Sequence, residues 1–219
     1  MYYDTNVWVS YIIGKNDDYY PVCKPLIDDI EIGNKVAVIS HMVLLETIHA
    51  IRRKIPENIK FEGESKQICD SKNTIVNVAT NKFVETVKEL SKRRKILITR
   101  PPITIAEHHA TVLKKIKNYF GYIRPISCCP YCSKGRVNRN SKNECPVCHK
   151  EHESIKKYEY KGLGHADMEH AFFAKRSGAP VFYTTDKPFE NLNGDGDFSP
   201  LQFIILQNPA SISSSSVHH

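Results

Sequence analysis

Apolar residues recur along the chain with two different periods, and their alternation lays out a strand and helix order. Short β-branched or apolar runs at Lys35–Ile39, Lys95–Thr99, Val181–Thr185 and Leu201–Leu206 read as strands, and residues 1–3 make a short strand start. Between them the spacing changes to 3.6. Leu44, Ile48, Ile51 and Ile55 fall on one face of a helix over His41–Lys54, with Ser40 placed to cap it. Further helices are predicted over Thr5–Ile13, Pro21–Ile32, Asn73–Ser91 and Ala166–Ser177, and one from a Thr104 cap to about Phe120. Gly178 and Pro180 stop the helix that ends at Ser177. Residues 56–72 read as a polar loop. Strands separated by helices pair in parallel through right-handed crossovers. The pattern therefore predicts an α/β fold, a three-layer α/β/α sandwich on a central parallel sheet.

The pattern is interrupted between Arg124 and Lys161, a stretch rich in Lys, Asn, Ser and Cys. The expected organisation is a core of 1–123 and 162–206, an inserted module at 124–161 and a flexible tail at 207–219. Nine Lys/Arg against four Glu place +5 of the chain's net +7 in the module, a balance that favours polyanionic partners. Five of the seven cysteines lie there too. Cys129-Pro-Tyr-Cys132 and Cys145-Pro-Val-Cys148 form two CxxC knuckles, with Cys128 as a spare beside the first. Each knuckle brings two sulfurs to one ion. Four thiolates then complete a tetrahedral site that holds together a segment too small for its own core. Structural Zn²⁺ is the expected ion and rubredoxin-like iron the competing one. Lys134, Arg136, Arg139 and Lys142 between the knuckles, with Tyr122 and Tyr131, suit phosphate pairing and base stacking.

Mean hydropathy is −0.41 and no run approaches 18 uncharged apolar residues, so no membrane span is expected. The first residues lack a basic signal-peptide region, which points to a cytoplasmic protein. Tyr2, Tyr3, Trp8, Tyr19 and Tyr20 are candidates for an aromatic homodimer surface.

Candidate chemistry sits in the acids. Asp4 follows the first strand and Asp186 follows Val181–Thr185, and the carboxyl ends of parallel strands form the ligand crevice of such sheets. Glu46 lies inside a helix with Met42 and Ala50 one turn away, a partly buried setting that is costly without a partner. Asp167 lies in the first turn of its helix, where the dipole favours an anion. Two carboxylates about 4 Å apart repel by roughly 4 kcal/mol at an effective dielectric near 20. A cluster of four must take up protons or a divalent cation, and oxygen ligands suit Mg²⁺ or Mn²⁺. No nucleophilic triad, phosphate loop or dinucleotide fingerprint competes. His165 and His170 flank Asp167 and read as structural helix-face residues.

Three segments, MYYDTNVW, VLLETIHAIRRK and GHADMEHAFFAKRSGAPVFYTTDKPFENL, occur in an order that resembles the PIN-domain ribonuclease family. The resemblance covers most of the core. It implies metal-dependent hydrolysis of RNA to 5′-phosphate and 3′-hydroxyl ends, with water as nucleophile and no covalent enzyme intermediate. By the same resemblance Asp4, Glu46, Asp167 and Asp186 bind the catalytic Mg²⁺ or Mn²⁺. Thr5 or Asn6 supports Asp4, and Thr184 or Thr185 orients Asp186. Lys187-Pro188-Phe189 lacks the extra acid some relatives carry there, which speaks against a second metal. Ribosome-maturation members carry a zinc ribbon after the domain, whereas here the cysteines precede Asp167. The expected role is an endoribonuclease processing ribosomal or transfer RNA. The alternatives are a toxin of a toxin–antitoxin pair and a non-catalytic scaffold binding RNA or protein.

Overall fold

A computed structural model of the chain describes residues 1–55, 72–99, 105–116, 119, 123–128, 155–160 and 162–209. The four cysteines of the two knuckles, the basic residues between them, Tyr122, Tyr131, Thr104, most of the 56–72 loop and the tail beyond residue 209 lie outside the described residues. The chain divides into two compact units, one of Met1–Lys114 with His165–His219 and one of Lys115–Gly164.

The first unit is built on a five-stranded sheet. Its strands are β1 (Tyr2–Tyr3), β2 (Ala37–Ser40), β3 (Ile96–Thr99), β6 (Val181–Thr184) and β7 (Gln202–Ile205). They lie in the order β3-β2-β1-β6-β7, every neighbouring pair parallel. The helices are α1 (Thr5–Ile13), α2 (Tyr20–Glu31), α3 (His41–Lys54), α4 (Lys72–Lys92), α5 (Ile105–Ile116) and α6 (His165–Arg176). The helix expected to reach Phe120 is described to Ile116; residues 117, 118 and 120 lie outside the described residues and Tyr119 lies in a turn. Helices flank the parallel sheet, the α/β sandwich that the hydrophobic periods predict. Among the described residues no helix is long and apolar enough to cross a membrane.

Both faces of the sheet are covered, which is why β1 carries no polar alternation. Successive side chains of a strand point to opposite faces. Tyr2 stacks on its register partner Phe182 at 5.0 Å and meets the α6 side chain His170. Tyr3 stacks on its partner Tyr183 at 5.3 Å and meets Trp8 of α1 edge-on, and Trp8 also meets Phe83 of α4 edge-on. Tyr2, Tyr3 and Trp8 are each 0% exposed, so they belong to the core and cannot form the aromatic surface expected of them. Phe182 also packs on Phe189 and Phe203 at 4.8 and 5.2 Å, which anchors β7.

Local signals set the helix ends. Asp4 caps α1 through its side chain and Ser40 caps α3 by accepting from the Val43 N–H. Gly14 and Gly178 take positive φ where α1 and α6 stop, a backbone state that glycine enters without a Cβ clash.

In the second unit, β4 (Ile123–Cys128) pairs antiparallel with β5 (Ile155–Tyr160), in a register running from Ile123↔Tyr160 to Cys128↔Ile155.

Phe182→Ala removes the ring on which three other aromatic rings pack. A loss of about 3–5 kcal/mol is expected, read as a lower urea midpoint with the denaturant slope unchanged.

Candidate active site

The site forms where the sheet changes direction. From β1 the chain builds outward through β2 and β3 on one side, while β6 and β7 extend the other. Ligand crevices of open α/β sheets lie at such switch points, beyond the carboxyl ends of the strands. Asp4 leaves β1 there and its backbone N–H donates to the Tyr183 carbonyl at 3.0 Å, continuing the β1–β6 pairing. Its Oδ1 accepts from the Thr5 N–H at 2.7 Å, and its Oδ2 accepts from the Thr184 hydroxyl at 2.7 Å. The same Thr184 oxygen accepts from the Asp186 N–H at 3.0 Å. One hydroxyl thus fixes the acids that follow two neighbouring strands.

Asn6 Nδ2 donates to Asp186 Oδ2 at 2.9 Å. Glu46, on α3, accepts at Oε2 from the Thr5 hydroxyl at 2.9 Å and meets His170 Nε2 at 2.8 Å. Asp167 stands in the first turn of α6. Asp4, Glu46, Asp167 and Asp186 line one cavity of about 560 Å³, together with Thr5, Asn6, His49, Ala50, Arg53, Lys54 and His170.

His170 extends the network into the core. Only 2% exposed, it meets the Tyr2 hydroxyl through Nδ1 at 2.8 Å, and that hydroxyl lies 2.9 Å from Ser40 Oγ. Tyr2 donates its hydroxyl proton to Ser40, so its oxygen is free to accept from His170 Nδ1, and a charged ring then also donates from Nε2 to Glu46.

The electrostatics follow from crowding. Burial pushes Asp4 up to about 6; the nearby His170 and the Thr184 hydrogen bond pull it back, and Asp186 raises it again. Asp186 is raised by burial and by Asp167, against Lys54 and the Asn6 hydrogen bond. Burial also opposes the charged form of Glu46, but the His170 contact and the Thr5 hydroxyl outweigh it and hold its pKa low. For His170, burial disfavours the cation, yet Glu46 and Asp4 raise its pKa overall. The donor set consists of carboxylate oxygens, and in Asp4 and Asp186 burial first, then a neighbouring carboxylate, disfavours the anion. A hard divalent cation such as Mg²⁺ or Mn²⁺ fits that chemistry.

The four predicted acids are therefore brought to one cavity. Thr5 reaches Asp4 through its N–H but spends its hydroxyl on Glu46, and Asn6 serves Asp186 rather than Asp4. Thr184 makes the contacts expected of a threonine beside Asp186, whereas Thr185 lines a separate cavity with Tyr19, Lys187 and Glu190. The sequence reading passed over His49, Arg53 and Lys54 and took His170 as structural. The first three follow Glu46 at helical steps of three, seven and eight, a same-face signal present in VLLETIHAIRRK. His170 follows Asp167 by three.

A parallel sheet with acids collected at the carboxyl ends of its two adjoining central strands is a nuclease-like arrangement. The chain belongs to the PIN domain family: residues 1–116 match the PIN domain. PIN domains are typically metal-dependent nucleases and usually use Mg²⁺ or Mn²⁺. The matched span contains Asp4 and Glu46, and Asp167 and Asp186 come after it. No curated protein and no solved structure matches the chain.

The raised Asp4 pKa predicts a pH signature in metal-free protein. Between the unfolded value near 3.8 and the folded value of about 6, the folded state holds a proton the unfolded chain has released. Stability is lost as pH rises through that window and stays lost above it. In EDTA, Asp4→Asn is expected to exceed the wild type by up to about 3 kcal/mol at pH 7–8, with the gain vanishing below about pH 4. Urea unfolding across pH measures this; a gain equal at every pH would contradict it.

Proposed function

We propose that the protein is a metal-dependent endoribonuclease acting in RNA processing. The observation that carries this reading is one cavity lined by Asp4, Glu46, Asp167 and Asp186 together with Arg53 and Lys54. Acids and bases stand on the same wall because Glu46, Ala50, Arg53 and Lys54 share a face of α3. The four acids would hold Mg²⁺ or Mn²⁺, which activates water and stabilises the leaving oxygen of a phosphodiester. Arg53 and Lys54 pair with the phosphates of the strand. Thr184 keeps Asp4 and Asp186 at a fixed separation by bonding to both. His170 is a positioning residue, holding Glu46 from the buried side.

RNA is the substrate class because of the basic segment 124–161, in which Cys129, Cys132, Cys145 and Cys148 bind structural Zn²⁺ and Lys134, Arg136, Arg139 and Lys142 contact the strand. The β4–β5 pairing supports this. Both ends of the cysteine-bearing segment start from one strand pair, Cys128↔Ile155, the stem that a metal-closed finger requires. A defined substrate arm of this kind suits ribosomal or transfer RNA processing better than a toxin of minimal length.

Cleavage of end-labelled structured RNA by the full chain tests the reading. Cuts in Mn²⁺ that end in 5′-phosphate and 3′-hydroxyl, and that EDTA, Asp4→Asn and Asp186→Asn each abolish, are the expected result. Retention of RNA without cleavage, unchanged in Asp4→Asn, would replace the nuclease with a binding scaffold. Growth arrest on expression, relieved by a cognate partner, would move the role to a toxin.

His170→Gln gives a further expectation. It should raise the Mn²⁺ concentration for half-maximal cleavage by roughly 10–100-fold, the usual cost of losing a group that orients a metal ligand. Far-UV circular dichroism should not change. An unchanged metal dependence would leave His170 a core residue only.

A further inference from the structure

Helix α6 presents two sets of polar side chains on two faces. Asp167 and His170, three apart, line the acid cavity. His165 and Glu169, four apart, stack one above the other on another face, where His109 of α5 meets them. Neither histidine nor Glu169 lines the acid cavity.

We propose that His109, His165 and Glu169 form a second metal site, which takes a divalent cation of the zinc class and ties α5 to α6. Three observations converge. Glu169 Oε1 lies 2.5 Å from His109 Nδ1 and 3.0 Å from His165 Nε2, and the two nitrogens are 3.2 Å apart. Atoms with those separations lie on a circle of about 1.7 Å radius, so a point about 2.1 Å from all three exists about 1.2 Å off their plane; that is the length of a Zn–N or Zn–O bond.

The second observation is the state of Glu169. It is 4% exposed and its Oε1 has no hydrogen-bond partner, although both imidazoles stand beside it. Neither ring aligns an N–H on that oxygen. A buried carboxylate oxygen left this way carries a desolvation cost. A cation at the common point removes it, since the carboxylate oxygen and both ring nitrogens would then direct lone pairs at the ion.

The third is access. His109 and His165 are 45% and 42% exposed at the side chain and their rings stack at 5.3 Å, so the point they share with Glu169 opens to solvent. Two imidazoles, one carboxylate and a water in the fourth position are a familiar zinc ligand set. The same set disfavours Mg²⁺, which seeks oxygen ligands in an octahedron. The two sites on α6 therefore differ in metal class.

The placement gives the ion a role. Between Lys114, in the last turn of α5, and His165, the first residue of α6, the chain runs through Lys115–Gly164, the second compact unit. A cation held by one α5 ligand and two α6 ligands closes the base of that excursion within the first unit. It also fixes the helix that bears Asp167 and His170.

The test uses the full chain with Zn²⁺ or Co²⁺ as the probe, and does not depend on nuclease activity. Co²⁺ should give ligand-field absorption from a nitrogen and oxygen site, separable from the thiolate-to-metal bands of the cysteine segment. His109→Ala, His165→Ala and Glu169→Gln should each abolish the first signal, lower bound zinc by one equivalent and weaken that site by at least about 100-fold, the upper range for losing an outer partner of a ligand. Cys129→Ser and Asp4→Asn should leave it intact. Because both histidines are partly exposed, their alanine variants are expected to fold, which circular dichroism checks. Equal zinc content and identical cobalt spectra in the wild type, His109→Ala and His165→Ala would overturn the proposal. A signal lost with Cys129→Ser instead would assign the ion to the cysteines and overturn it as well.

Discussion

The parallel pairing of β1 with β6 is the constraint on which the rest of the molecule depends. β1 has two residues, yet it occupies the centre of the sheet, with β2 on one side and β6 on the other. So short a strand cannot rely on its ladder for stability. It is held by burial of both its tyrosines, each stacked on its register partner in β6. The pairing joins the start of the chain to residues beyond 180, and Asp4 and Asp186 take their positions from it. Asp4 and Asp186 leave the two strands at the same end, α1 starts from Asp4 to offer Thr5 and Asn6, and the α6 residue His170 rests on Tyr2.

Gathering carboxylates at one point works against stability, and the surrounding hydrogen bonds show how the fold tolerates it. Glu46 is compensated by a histidine and a hydroxyl, and its pKa stays low. Asp4 and Asp186 are compensated less fully, by hydroxyl, amide and backbone donors, and their pKa values rise. The difference separates an acid whose charge the protein balances from two whose charge burial opposes. Arg53 and Lys54 sit on the rim of the same cavity, at the end of α3 where the helix dipole also favours cations. They lower the acids' repulsion without entering the hydrogen-bonded network. A rim of that sign around an acidic floor suits a polyanion that approaches together with a divalent ion.

Much of this was legible in the sequence because it rests on local rules. Helix and strand periods, the Ser40 cap and the Gly178 stop report on neighbouring residues, and the structured elements follow them closely. The four acids were visible for a related reason: each sits next to an element end or on an apolar helix face, where an acid needs an explanation. Partnerships between distant residues were not visible. Nothing local distinguishes Thr184 from Thr185; the register of β6 against β1 decides which hydroxyl faces Asp4. Tyr2, Tyr3 and Trp8 looked available for an interface because two consecutive aromatics do not alternate, and only a sheet covered on both faces accounts for them. His170 read as structural because its partner Glu46 lies 124 residues away. The face shared by Glu46, Arg53 and Lys54 is readable from their helical spacing, but nothing local says that it meets Asp4 and Asp186.

Helix α6 shows how one stretch of sequence serves two chemistries. Seven of its twelve residues, Met168 to Ala174, are buried, an extent that leaves little room for the helix to rotate. A rotation of one residue, about 100°, would carry Glu169 toward the place of His170 and dismantle both side-chain sets together. The buried apolar residues Ala171, Phe172, Phe173 and Ala174 fix the rotation, and the polar residues then separate by face. The face toward β1 and α3 bears a carboxylate and an imidazole among hard oxygen donors. The face toward α5 bears a carboxylate among imidazoles. On the proposed reading, donor type and helix phase together would decide which cation each face takes, so ions of different class would not exchange places.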